Sequence, residues 1–158
     1  MVLFLALIIV ALDQIIKAFV VYKIKPVGSV IAIPGLLNFT YVENRGAALG
    51  IMQNKQLILI FVSLIICAFF IYAISKFNIK NKLFLVSACL IIGGGISNLI
   101  DRIRLSYVID YIQLSFFPPI CNLADYCVCI GAGLLIIYII FCEDKEKLKK
   151  GDKSWKKD

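Results

Sequence analysis

Three aspartates, Asp101, Asp110 and Asp125, lie at the ends of long apolar segments or between them. An ionisable side chain costs about 2.5–3.5 kcal/mol at the centre of a membrane helix on insertion scales, so such residues usually serve a function. Asp110 stands within the apolar pentapeptide V-I-D-Y-I, and Asp125 follows Asn122 by three residues. Both acids are predicted at the same membrane surface, where their carboxyl groups can meet.

Two carboxylates a few ångströms apart share one proton, because both cannot readily ionise together. The ionised acid then acts as a base on a water molecule, while the protonated acid donates to the carbonyl under attack. This chemistry hydrolyses a peptide bond without a histidine, a metal ion or a nucleophilic serine.

The same residues also fit other interpretations. Asp110 fits a solvated loop acid, and Asn122 fits a helix N-cap with Asp125 in the first turn, where the helix dipole favours it. An intramembrane aspartic hydrolase, a proton-coupled transporter and a scaffold protein with charge-paired helices all remain open. A transporter would more often show internal repeats, and the sequence shows none.

Several kinds of site are excluded by composition. The 158 residues include no histidine, which removes Ser-His and Cys-His catalysis and histidine-ligated metal. Cys127 and Cys129 form C-x-C, which is not typical of redox or zinc sites. We expect no cofactor and no metal ion. The net charge of +7 comes from lysines near span ends, which indicates contact with anionic lipid and not with nucleic acid.

The composition is that of an integral membrane protein. Hydrophobic residues make up 61% of the chain and the mean hydropathy is +0.94, whereas about 45–50% is usual in soluble proteins. The length allows about four spans of roughly 20 residues. We place them in one membrane domain, residues 1–158, at about residues 2–22, 56–75, 83–100 and 122–141.

Residues 23–55 lack the pattern of a span. Gly28, Pro34 and Gly35 interrupt this segment, and its β-branched and aromatic residues predict a few short strands. The small residues of 44–50 predict a short helix in the interface plane. The expected fold is an all-α polytopic membrane protein with four transmembrane helices, a small extracytoplasmic β-rich segment and one interfacial helix.

The lysines predict the orientation of the chain. The loop 76–82 and the tail 143–158 are both lysine-rich and lie next to spans. Such segments remain in the cytoplasm. We therefore expect a multi-pass protein with both termini in the cytoplasm, and with residues 23–55 and 102–121 on the outer side.

Polar and small residues inside the spans predict helix contacts. Asp13 and Lys17 are four residues apart, so they share a helix face and can form an ion pair. Gly93–Gly95, Gly131 and Gly133 allow neighbouring helix backbones to come close.

Five short motifs, in order along most of the chain, resemble those of the lipoprotein signal peptidase family, signal peptidase II of bacteria. L-D-Q-I-I-K-A resembles the first-helix motif, and N-R-G-A-A-L-G resembles N-x-G-A-A-aromatic-(G/S). G-G-G-I-S-N-L-I-D-R-I resembles G-N-L-I-D-R. V-I-D-Y-I resembles V-V-D-F-I, and C-N-L-A-D resembles F-N-x-A-D. Three departures, at Leu49, Ser97 and Cys121, concern packing and substrate fit rather than chemistry.

The resemblance implies a role for each motif residue. Asp110 and Asp125 are expected to be the catalytic pair. Five residues are expected to shape the site or bind substrate: Asn44, Gly46, Asn98, Arg102 and Asn122. Three residues are expected to give structural support near the site: Asp13, Lys17 and Asp101.

The resemblance also implies an activity. The expected enzyme is an aspartic endopeptidase of the bacterial cytoplasmic (inner) membrane. Its expected substrate is a prolipoprotein whose cysteine carries a diacylglyceryl group, cut on the amino side of that cysteine. The expected partners are lipidated prolipoproteins, membrane lipid and the peptide inhibitor globomycin. We expect the chain to act as a monomer.

Chelation separates this chemistry from metal-dependent hydrolysis. Because the proposed base and acid are both carboxyl groups, EDTA is expected to leave prolipoprotein cleavage unchanged. Cleavage in detergent with and without EDTA measures this. Loss of cleavage that added zinc or magnesium restores would contradict a metal-free mechanism.

Overall fold

The computed structural model describes residues 2–46, 52–77 and 79–141. The helices found there are α1 (Val2–Lys23), α2 (Gln56–Phe77), α3 (Lys82–Leu105) and α4 (Leu123–Phe141). The strands are β1 (Ser29–Ile33), β2 (Leu37–Asn44), β3 (Val108–Leu114) and β4 (Ile120–Cys121). All four helices are long and apolar enough to cross a membrane,.

The four predicted transmembrane helices are confirmed as helices long and apolar enough to cross a membrane. Span three was predicted to end at about Ile100, and the helix that contains it, α3, continues to Leu105. It can continue because Asp101 points into the bundle, where Lys17 lies 2.8 Å from its carboxylate. The helix ends at Ser106, whose φ of 64° is left-handed, a common way for a helix to stop.

An antiparallel sheet of order β1-β2-β3-β4 lies at one end of the helices. β1 and β2 confirm the strands predicted within residues 23–55. β3 and β4 extend the prediction, because no strand was predicted within residues 102–121. Their β-branched and aromatic residues suit a half-buried pleated surface, and β2 offers an edge with which β3 pairs. The sheet therefore joins both connections at this end of the molecule.

The sheet is fixed to the end of α1 by apolar packing. Val20 and Ile24 pack against Ile109 and Tyr111 of β3, and all four side chains are buried. This contact fixes the strand that carries Asp110 relative to the helices.

α3 is the central helix and contacts each of the other three. Its three consecutive glycines face three different neighbours. A methyl group at Gly93 would lie 3.0 Å from the Ala6 carbonyl oxygen of α1, and one at Gly94 would overlap the Ala124 carbonyl oxygen of α4. One at Gly95 would lie 3.3 Å from a side chain of α2. The predicted close approach of helix backbones is thus confirmed at Gly93, Gly94 and Gly131, whereas Gly95 meets a side chain and the prediction is wrong for Gly133.

Polar and apolar side chains are distributed as expected for helices in lipid. Leu57, Phe61, Ile65 and Phe69 recur every four residues along α2 and are 61–71% exposed. Asp13 has no exposed surface at all. Apolar side chains therefore face outward, while charged groups lie inside and must find partners within the protein.

Two predictions fall largely or wholly outside the described residues. The short interfacial helix was predicted over residues 44–50, and the description stops at Gly46. The lysine-rich tail, 143–158, lies wholly beyond it.

The two glycines of α4 allow a matched test of helix packing. A methyl group at Gly131 would lie 2.8 Å from the Ile91 side chain and 2.9 Å from the Ser87 carbonyl oxygen, whereas one at Gly133 meets nothing within 4 Å. We expect Gly131→Ala to destabilise the protein by about 1–3 kcal/mol through overpacking. Gly133→Ala is expected to be neutral or slightly stabilising, because alanine has the higher helix propensity. Thermal unfolding in detergent measures the difference, and equal midpoints would contradict it.

Candidate active site

Asn122 links the two aspartates of the predicted pair. Asp110 lies on β3 and Asp125 in the first turn of α4. The Asn122 side-chain amide donates to Asp110 Oδ1 at 2.7 Å, and its backbone amide donates to Asp125 Oδ2 at 3.1 Å. One residue therefore holds both carboxylates at the sheet end of the bundle.

The alternative interpretations of these residues have different outcomes. Asn122 does cap α4, since its Oδ1 accepts from the Asp125 backbone amide at 2.9 Å. Together with the bond from the Asn122 amide to the Asp125 carboxylate, this forms a reciprocal capping box. Capping leaves the Asn122 amino group free to reach Asp110. Asp110 is only 1% exposed, so its interpretation as a solvated loop acid is wrong.

Two further asparagines complete the hydrogen bonds of the pair. Asn44, the last residue of β2, donates to Asp110 Oδ2 at 2.8 Å, and Asn98 of α3 donates to Asp125 Oδ1 at 2.8 Å. With the two bonds from Asn122, each of the four carboxylate oxygens accepts an N–H. Both carboxyl groups are therefore fixed in orientation before any substrate arrives.

Arg102 and Gly46 lie beside this group. The Gly46 amide donates to Asn44 Oδ1 at 2.9 Å, and the Arg102 guanidinium donates to the Gly46 carbonyl at 3.3 Å. The Nε of Arg102 is buried and has no hydrogen-bond partner among the described residues. One donor of this cation is thus left for another acceptor.

The three predicted support residues form one buried cluster. The predicted Asp13–Lys17 ion pair is confirmed at 2.8 Å. The Lys17 ammonium lies equally close to Asp101 and also donates to Asn98 Oδ1, each at 2.8 Å. Asn98 therefore connects this cluster directly to Asp125.

Three polar residues in and around this cluster were not predicted to have a role there. Gln14 donates to Asp101 Oδ1 at 2.9 Å, Ser97 donates to Asp13 at 2.5 Å, and the Tyr111 hydroxyl accepts from the Leu123 amide at 3.2 Å. A polar side chain within an apolar span was a usable signal for Gln14 and Ser97. Tyr111 gave no such signal, because tyrosine is common in strands.

The environment of Asp110 favours its protonated form. Burial raises the pKa of this carboxyl to about 7, and the nearby Asp125 carboxylate adds to the increase. The hydrogen bonds from Asn44 and Asn122 act in the opposite direction, because they stabilise the charged form,. Asp110 can therefore hold or release a proton near neutral pH.

Two cavities meet at the pair. One, of about 560 Å³, is mostly apolar and reaches between α2, α3 and α4, with Ile66, Ile91 and Val128 in its wall. The other, of about 490 Å³, is more open and more polar, and is lined by Glu43 and Arg45 among others. Asp110 lines both cavities, and Asp125 lines the apolar one.

A family comparison agrees with this geometry. The sequence model of the signal peptidase (SPase) II family matches residues 5–141. The chain belongs to the signal peptidase II family. Enzymes of this family are proteases that remove signal peptides from prolipoproteins, and no finding favours a transporter.

Relatives and solved structures support the assignment. The lipoprotein signal peptidase of Caldanaerobacter subterraneus is 41% identical over 133 residues, which are 84% of this chain and 91% of that protein. That of Clostridioides difficile is 38% identical over 144 residues, 89% and 95% of the two chains. Two solved structures of a bacterial membrane enzyme are each 31% identical. Their TM-scores are 0.81 and 0.80, covering 88% and 89% of this chain and 87% and 93% of theirs.

The pKa of Asp110 leads to a pH prediction. A pair that needs one proton loses activity when that proton leaves, so cleavage is expected to fall as pH rises through about 7,. Asn44→Ala removes a bond that favours the charged form. The fall in log(kcat/KM) should then shift to higher pH, by about 0.5–1 unit. Profiles between about pH 5 and 9 measure this.

Ser29→Ala is the control for this measurement, since Ser29 bonds Thr40 on an exposed part of the sheet. It is expected to leave the profile in place. A profile that does not move, or that moves to lower pH, in Asn44→Ala would contradict the assigned cause.

Proposed function

We propose that the chain is an aspartic endopeptidase in which Asp110 and Asp125 are the catalytic residues. The observation that carries this proposal is the position of Asn122, which donates one N–H to each carboxylate at the junction of two cavities. Buried acids are costly in an apolar protein, so two carboxyl groups that are kept buried and held in place are expected to have a function.

The two acids have complementary roles in the proposed reaction. Asp125 lies in the first turn of α4, where the helix dipole favours a carboxylate, and it acts as the base. It takes a proton from water, whose oxygen attacks the peptide carbonyl carbon. Asp110, whose pKa is about 7, donates its proton to the carbonyl oxygen. On collapse of this gem-diol intermediate the C–N bond breaks, Asp125 gives its proton to the leaving amine nitrogen, and a hydroxyl of the intermediate returns a proton to Asp110.

The proposed substrate is a prolipoprotein that carries a diacylglyceryl group on its cysteine. The apolar cavity between α2, α3 and α4 suits acyl chains, and the polar cavity beside β2 suits peptide. Cleavage on the amino side of the cysteine would then occur where the two cavities meet. We expect a globomycin-type peptide to compete for the same space.

Arg102 and Asn44 are proposed to hold the substrate. Arg102 lines the apolar cavity, and substrate carbonyl oxygens are suitable acceptors for its guanidinium group. Asn44 lines both cavities and already positions Asp110. Asn98 and Asn122 act on the acids rather than on the substrate.

The proposed location is the bacterial cytoplasmic membrane, with the sheet end of the bundle on the outer side. The opposite end carries Lys76, Lys80 and Lys82, which the positive-inside rule assigns to the cytoplasm,. Both termini would then lie in the cytoplasm. A lipidated cysteine at the outer leaflet would meet the pair directly, and a monomer suffices for the proposed site.

Cleavage of a lipidated prolipoprotein in detergent tests this proposal. Asp110→Asn and Asp125→Asn are each expected to lower kcat by at least about 1,000-fold, since neither amide can exchange the required proton. The same prolipoprotein without lipid is expected to be cut poorly by the wild-type protein. The Ser29→Ala variant serves as the active control.

The possible outcomes test the aspartic mechanism and the lipid requirement separately. Substantial cleavage by either asparagine variant would remove the aspartic mechanism. Efficient cleavage of the unlipidated substrate would remove the lipid requirement but leave the mechanism intact. Globomycin binding by the inactive variants would show that they retain the folded site.

A further inference from the structure

The buried cluster of Asp13, Lys17 and Asp101 contacts the catalytic pair in a symmetrical way. Asp13 Oδ1 accepts from the backbone amide of Ala124 at 3.1 Å, and Asp101 Oδ2 accepts from that of Ile109 at 3.2 Å. Ala124 and Ile109 are the residues that immediately precede Asp125 and Asp110. Each support aspartate therefore holds the backbone next to one catalytic aspartate.

Lys17 joins these two contacts into one unit. A lysine ammonium has three N–H donors, and that of Lys17 meets three acceptors at 2.8 Å, on Asp13, Asp101 and Asn98. Lys17 is 1% exposed, so water does not compete for these donors. A shift of either aspartate would leave an ammonium donor unpaired in a low-dielectric interior, which is costly.

Lys17 also determines which way the Asn98 amide points. Because the ammonium can only donate, the atom of Asn98 that faces it must be the carbonyl oxygen. That oxygen also accepts from Asn122 at 3.1 Å. The amino group of Asn98 is consequently turned toward Asp125. The Asn122 amino group and the Asp125 carboxylate favour the same orientation of this amide, so Lys17 acts together with them.

We propose that Asp13, Lys17 and Asp101 are positioning residues that set the separation and orientation of the Asp110 and Asp125 carboxyl groups, by holding the backbone amides of Ile109 and Ala124. This inference rests on the proposed function, because it concerns the same pair. It goes beyond general support of the fold, since it assigns a specific atom to each contact. Their effect on the reaction is indirect, as none of them lines either cavity.

Two substitutions of Asp101 separate positioning from stability. Asp101→Ala removes the acceptor of the Ile109 amide, whereas Asp101→Asn retains an oxygen that can accept from both Ile109 and Lys17 and loses only the acceptor of the Gln14 side chain. We expect Asp101→Ala to lower kcat about 10- to 100-fold, since small misplacements of catalytic groups have effects of this size. KM should change less than about threefold, because substrate contacts remain. Asp101→Asn is expected to recover most of the lost kcat.

Gly93→Ala is the stability control for this experiment. It overpacks the contact of α3 with α1 at Ala6 and Ile9, residues that line neither cavity, and its folded fraction should have normal kcat. A loss of activity in Asp101→Ala that merely follows the unfolded fraction, as in Gly93→Ala, would overturn the positioning role. So would an Asp101→Asn variant as slow as Asp101→Ala.

A double variant applies if Asp101→Ala does not fold. Lys17→Met with Asp101→Asn removes one positive and one negative charge, so the net charge of the cluster is unchanged. It frees Asp13 and the Asn98 amide from the ammonium, and the same fall in kcat at nearly constant KM is expected. Wild-type kcat in this variant would overturn the inference.

The catalytic variants distinguish this inference from the proposed function. If Asp110→Asn or Asp125→Asn retains cleavage, the aspartic mechanism fails whatever Asp101 does. If both are inactive while Asp101→Ala has wild-type kcat, only the positioning role fails.

Discussion

A single buried ammonium group determines how the interior of this molecule is organised. Lipid and packed apolar side chains offer no hydrogen bonds, so a charge within the bundle must be satisfied by the protein alone. Lys17 of α1 meets this requirement with three acceptors, two of them carboxylates and the third an asparagine that reaches Asp125. Removing one partner from such a group commonly costs about 3–5 kcal/mol. The cluster therefore makes α1, α3, β3 and α4 depend on one another's position.

The positions of the two acids also depend on the sheet. β2 and β3 come from different connections, and their pairing brings Asn44 and Asp110 to the same end of the bundle. β3 packs against the end of α1 through apolar side chains, and its Ile109 amide donates to the Asp101 carboxylate. One acid of the proposed catalytic pair thus lies on a strand and the other on a helix, and neither element could place both. Close helix packing at the glycines of α3 keeps the distances short enough for side-chain contacts.

Much of this arrangement could be predicted from the sequence, and the part that could not has a physical reason. Hydropathy gave the four spans, and the spacing of Asp13 and Lys17 gave their ion pair. β3 was missed because a short apolar segment between spans resembles many loops until its partner strand is known. Asn122 was predicted as either a cap or a site residue; it caps α4, and its backbone and side chain also contact different acids. The backbone amides of Ile109 and Ala124 could not be singled out from the sequence, because every residue except proline has a backbone amide.

The position of the pair at the boundary between helices and sheet follows from two opposed requirements. An acid that must hold a proton at neutral pH has to be largely removed from water, and burial of Asp110 achieves this,. A hydrolase must nevertheless admit a water molecule and a peptide, which a closed apolar bundle excludes. At the bundle end the apolar cavity and the polar cavity share Asn44 and Asp110. Asp110 is therefore buried and yet borders the more open, polar cavity. A pair of acids deeper among the helices would keep its shared proton but would lack access to water. A pair on the exposed face of β1 would have access to water but would lose the proton at a lower pH. The junction is therefore the part of this fold where the proposed acid–base hydrolysis of a lipidated peptide would have both a buried carboxyl group and access for water.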